Sequence, residues 1–107
     1  MSIMKELTVL EQIILVSIIR LKDEAYGMAI RNKTKSITGK ALMYGTLYNV
    51  LDQLFRKGFI RKVNKKPMPH GRRYYAVTPS GNEALKSAYR LQKSLWRNAP
   101  ETIREAK

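Results

Sequence analysis

The sequence contains no cysteine, which excludes a disulfide framework and a thiolate metal site. Its one histidine, His70, cannot hold a metal by itself. Acids are scarce, 8 against 21 Lys and Arg. That scarcity leaves too few carboxylates for a magnesium cage or for paired acid–base work. No Ser/His/Asp arrangement and no phosphate-cradling glycine loop occurs, so neither catalysis nor a cofactor is expected. Long hydrophobic runs are also missing. The run IILVSII (13–19) is far short of the roughly 20 apolar residues that cross a bilayer. Nothing resembles a secretory leader. The expectation is a cytoplasmic protein without membrane contact.

What is present is positive charge, and it is concentrated. A chain of 107 residues fits one domain with an appendage and is too short to bury a large core, so oligomerisation would help it. The formal net charge is +13. Residues 1–30 carry −1, residues 31–73 carry +11 and residues 74–107 carry +3. A basic excess gathered in one segment is the electrostatic footprint of a polyanion-binding surface. The bland alternative, a solvated basic face, is disfavoured because the excess coincides with a recognisable structural pattern.

That pattern is an amphipathic helix followed at once by a hairpin. In residues 43–60, Leu47, Val50, Leu51, Leu54 and Phe55 recur at helical offsets. Thr46, Asn49, Asp52, Gln53 and Arg56 fall on the other side. Arg56, Lys57 and Gly58 make a fitting helix end. Residues 59–63 then read as a strand, 65–72 as a loop with two prolines and a glycine, and 73–78 as the return strand.

Upstream, Thr8 and Glu11 fit a capping box. The helix after it runs to Arg20 or Leu21. It is apolar on more than one face, so it is either a central core helix or one partly covered by a second subunit. A second helix is expected over residues 25–33, with Tyr26, Met28, Ala29 and Ile30 inward and Gly27 permitting close packing. Residues 34–40 read as a linker, with Ser36, Thr38 and Gly39 as breakers. The fold class expected is mostly α with a small β-hairpin: a winged helix-turn-helix with a C-terminal dimerisation helix.

The third helix is the candidate recognition helix, about residues 44–57. Asn49 and Gln53 can each donate and accept toward base edges, and Thr46 offers a methyl or a hydroxyl. Tyr44 and Tyr48 sit at the edge of the apolar face and could reach phosphates. Core packing is the competing role for both. The wing, residues 64–73, carries Lys65, Lys66, Arg72 and Arg73 to lie along a backbone or enter the minor groove.

Four stretches, LTVLEQIIL (7–15), AYGMAI (25–30), YGTLYNVLDQLFRKGFI (44–60) and GRRYYAVTPSG (71–81), resemble the PadR family of transcriptional regulators. The resemblance implies a homodimer that binds a palindromic operator in double-stranded DNA, usually as a repressor. Gly45, Thr46, Leu47 and Tyr48 match the family's recognition-helix motif, and Tyr74, Tyr75 and Thr78 its wing exit. One departure is Met43, where members often carry a Ser that caps the helix. Methionine has no oxygen to offer, at a cost of about 1 kcal/mol. An RNA- or ribosome-associated basic winged-helix module and a protein-interaction adaptor are the alternatives.

The tail completes the reading. Thr78 and Pro79 start a helix, with Thr as N-cap and Pro at the first position. Residues 82–98 are helical in composition. Leu85, Ala88, Gln92 and Leu95 form a stripe that Ala84, Leu91 and Trp96 widen. The division expected is a winged-helix domain over 1–80 and a dimerisation helix over 81–107. In short members of the family the final helix pairs with its mate and with the first helix. That assigns Ile14, Ile18, Leu85, Ala88, Leu91, Leu95 and Trp96 to the interface. In some members the groove between subunits takes a small flat aromatic effector. Trp96 is the residue to hold it, although a plain interface anchor is the favoured role.

Overall fold

The computed structural model describes residues 6–64 and 72–105. Helix α1 (Val9–Leu21) begins at the expected capping box. The Thr8 amide donates to Glu11 Oε1 at 2.9 Å, and the Glu11 amide donates to Thr8 Oγ1 at 3.1 Å. Ile14, Leu15 and Ile18 are fully buried, and α1 packs against the three other long helices and the second strand. It is the central helix. Its buried Ser17 is satisfied by donating to the Ile13 carbonyl at 2.8 Å.

Helix α2 (Gly27–Thr38) differs from the expected 25–33 at both ends. Ala25 and Tyr26 lie outside the helix, Tyr26 extended: Tyr26 bridges Tyr74, and the Tyr75 amide donates to the Ala25 carbonyl at 2.9 Å. The residues expected to form a linker continue the helix, because Thr34 and Thr38 turn their hydroxyls back onto helix carbonyls instead of breaking it. The stop comes at Gly39, in the left-handed conformation with φ of 84°. Met28, expected inward, is exposed.

Helix α3 (Tyr44–Arg56) buries Leu47, Val50, Leu51 and Leu54, while Phe55 at its edge is exposed. Lys57 closes it, Gly58 takes a φ of 79°, and strand β1 (Ile60–Val63) follows. Strand β2 (Tyr74–Val77) returns antiparallel, pairing Ile60 with Val77 and Val63 with Tyr74. Helix α4 (Pro79–Arg97) starts on Thr78, whose hydroxyl accepts from the Gly81 amide at 3.1 Å. A Cβ on Gly81 would stand 2.2 Å from the Phe59 carbonyl, so the first turn of α4 can approach β1 only with glycine there. A short helix α5 (Glu101–Arg104) follows Pro100.

The expected boundary at 80/81 therefore falls inside α4. Ala84, Leu85 and Ala88 pack on the core cluster. Gln92 donates to Gln12 of α1 at 2.6 Å. Among the described residues no helix is long and apolar enough to cross a membrane.

Candidate nucleic-acid interface

The exposed side of α3 is built as its periodicity requires. With Leu47, Val50, Leu51 and Leu54 turned inward, Gly45, Thr46, Asn49 and Gln53 are turned out and exposed. Asp52 and Arg56, one turn apart, pair at 3.0 Å on that surface. Both are well exposed, so the pair contributes little to stability and leaves Arg56 free to exchange partners. Met43 is the N-cap and makes no side-chain bond, so the first turn of α3 presents uncapped amides.

Tyr44 and Tyr48 are half exposed, in keeping with an edge position. The Tyr44 hydroxyl donates to Met28 Sδ at 3.3 Å, and the Arg31 guanidinium lies 4.6 Å from its ring centre. Arg31 also donates through Nε to the Leu42 carbonyl at 2.6 Å, which ties the α2–α3 linker to α2. Tyr48 occupies the space a Cβ would need at Gly27: an alanine there would stand 2.2 Å from the Tyr48 hydroxyl. Gly27 therefore leaves the room that the end of the Tyr48 side chain fills. Its allowance for close packing is legible in the sequence; its partner is not.

The hairpin base completes the surface. Arg72 stacks 4.0 Å above Tyr26, whose ring meets Tyr74 edge-on with centres 5.6 Å apart. Arg73 is exposed, and Lys62 lies 4.7 Å above Phe55. Lys65 and Lys66 fall outside the described residues. An open cleft of about 530 Å³ lies between the start of α2, α3 and β2, walled by Tyr26, Tyr44, Tyr48, Tyr75, Arg72 and Arg73. Burial pushes the Tyr75 phenol up, Tyr48 adds to this, and Arg73 opposes both; the net rise keeps the hydroxyl neutral. The cleft thus offers hydrogen-bond donors and two cations along α3, a combination suited to phosphate oxygens. Sequence reasoning misses Arg31 and Lys62, because a lone base in a basic segment carries no periodic signal.

The sequence matches the Transcriptional regulator PadR-like family over residues 14–87. The chain belongs to this family. Its members are transcription regulators rather than enzymes, and the fold is that of a winged-helix DNA-binding regulator. A PadR family transcription regulator from Clostridium difficile shares 30% identity, with 81% of this chain and 86% of that one covered and a TM-score of 0.59. A transcriptional regulator from Clostridium thermocellum shares 26%, covering 81% and 85%, with a TM-score of 0.64. RosR from H. salinarum superposes with a TM-score of 0.72 at 25% identity, covering 91% and 84%. Among curated proteins, none matches.

The interface residues expected from the family fare unevenly. Ile14 and Ile18 are fully buried within the chain, so they have no free surface for a mate. Leu85 and Ala88 are half-buried against the chain's own core, because α4 folds back on α1 for its first half. Leu91, Leu95 and Trp96 remain exposed at 54%, 58% and 49%. On α1 the exposed apolar residues are Val9, Val16 and Ile19.

Proposed function

We propose that this PadR-like regulator acts as a repressor, binding a palindromic operator as a homodimer with α3 in the major groove. The observation that carries the reading is the outward row Thr46, Asn49 and Gln53 on α3, flanked by the Tyr/Arg cleft. Thr46, Asn49 and Gln53 offer hydrogen-bonding groups to base edges. Tyr44, Tyr48, Arg72 and Arg73 hold the flanking phosphates, with Gly45 letting the backbone of the first turn come close. Lys65 and Lys66, outside the described residues, add positive charge for further phosphate contacts.

The mate covers Leu91, Leu95 and Trp96, joined by the exposed apolar residues of α1. A two-fold seam of this kind presents two recognition helices to two half-sites. Trp96 belongs first to the seam. A flat aromatic effector lodged between the subunits would stack on it, and quenching of its fluorescence would report the event. Footprinting over the DNA upstream of the protein's own gene tests the main reading. The expected result is protection of two inverted half-sites. Protection without symmetry contradicts the dimeric reading.

A further inference from the structure

Helix α4 carries a second basic surface that the recognition helix does not use. Lys86, Arg90, Lys93 and Arg97 recur at i, i+4, i+7 and i+11, and all four are exposed. On the wheel they fall within an arc of about 60°, roughly 150° from the side that packs on the core. The one acid of α4 is Glu83, paired with Lys86 at 3.3 Å. Beyond it no acid interleaves the bases. An ordinary solvated helix face alternates signs, and like charges one turn apart repel. This face keeps three such neighbouring pairs. An exposed aromatic sits among them, Tyr89, with the Lys93 ammonium 5.3 Å from its ring centre.

We infer that this stripe is a second DNA-backbone contact, and that the protein holds another duplex segment there while α3 is engaged. The geometry separates the two surfaces. Glu11 of α1 bonds Lys57 at the end of α3, and its neighbour Gln12 bonds Gln92 of α4. Adjacent helix residues point about 100° apart, so α3 and α4 leave α1 in different directions. The stripe faces outward from α4, turned from the side that packs on the core. Its four bases span about 16 Å of helix, against one phosphate charge per roughly 1.7 Å of duplex axis. An anionic bilayer fits less well. Leu91 and Leu95 lie roughly 130° and 170° from the stripe and Trp96 roughly 90° to one side, so seating Leu91 and Leu95 in lipid would turn the bases toward water.

The test uses the full chain, a labelled duplex of about two helical turns of arbitrary sequence, and low salt. Sedimentation velocity with excess duplex gives the number bound per protomer. The variant is Lys86→Gln with Arg90→Gln and Lys93→Gln; glutamine is a good helix former, and circular dichroism checks the helix. The variant is expected to bind less duplex per protomer while keeping the segment held at α3. Its salt slope should flatten by about 0.9 for each phosphate no longer neutralised. Arg90→Lys should behave as the parent, since holding a phosphate here needs charge alone. Should the triple variant lose helix, Arg90→Gln compared with Arg90→Lys makes the same distinction. Unchanged stoichiometry and slope would overturn the inference. So would a variant that keeps all its duplex but no longer binds phosphatidylserine vesicles that the parent binds. If the parent binds no duplex at all, the recognition-helix reading fails and this inference with it.

Discussion

Glu11 shows how one side chain can fix the relation between two helices. It is 2% exposed, closes the cap of α1 through one carboxylate oxygen, and receives Lys57 Nζ on the other at 2.6 Å. Burial raises its pKa, but the Lys57 ammonium and the Thr8 bonds outweigh burial, and the net pKa is lowered. A carboxyl depressed by folding adds stability above its unfolded pKa of about 4.3, and that stability is lost as pH falls through the folded value. Acid titration of unfolding should show the loss in that window, and Glu11→Gln should flatten it. Glu11→Ala should cost about 1–2 kcal/mol by chemical denaturation, less than a fully buried pair because Lys57 is partly solvated. Gly27 makes the second residue-scale prediction. An alanine there must push the Tyr48 hydroxyl aside, and because that end of the ring is half exposed and can swing out, the cost should be at most about 1 kcal/mol, below that of an overpacked core site. Thermal melts measure the cost. Duplex binding should weaken as well, because Tyr48 lines the cleft.

At the scale of elements, the wing and α4 carry separate predictions. Replacing Arg72 and Arg73 with Ala should weaken all duplexes alike and flatten the salt slope by about 0.9 for each phosphate the wing no longer neutralises. An unchanged slope would remove the wing from the interface. For α4, cutting the chain near residue 82 would take Ala84, Leu85 and Ala88 out of the core and unfold the domain, so it cannot test assembly. Leu95→Glu can, because Leu95 is exposed in the single chain. It should shift sedimentation equilibrium from dimer to monomer while the helical signal holds; a variant that stays dimeric places the seam elsewhere. The same elements show what can be read from sequence. The cap of α1, the inward face of α3 apart from Phe55, the two strands and the Thr78–Pro79 start all follow local rules, and each stands where those rules put it. The end of α2 departs from them because Thr34 and Thr38 satisfy their hydroxyls within the helix. The half-and-half use of α4 depends on how α1 and α4 meet, a long-range packing relation that no local pattern encodes.

At the scale of the whole molecule, a net charge of +13 favours any duplex, and in the proposed reading the outward row of α3 turns that affinity into preference. The central claim is that this row reads bases, twice, in a symmetric complex. Selection of binding sites from random duplexes tests it most directly, run side by side on the parent and on Asn49→Ala with Gln53→Ala. The parent should return two inverted half-sites whose centres lie about one helical turn, or a multiple, apart. The variant should lose discrimination at the same positions in both halves, by about 1–3 kcal/mol for each bidentate pairing removed. A parent consensus without inverted symmetry, or a variant that selects the parent's sequence unchanged, would contradict the account.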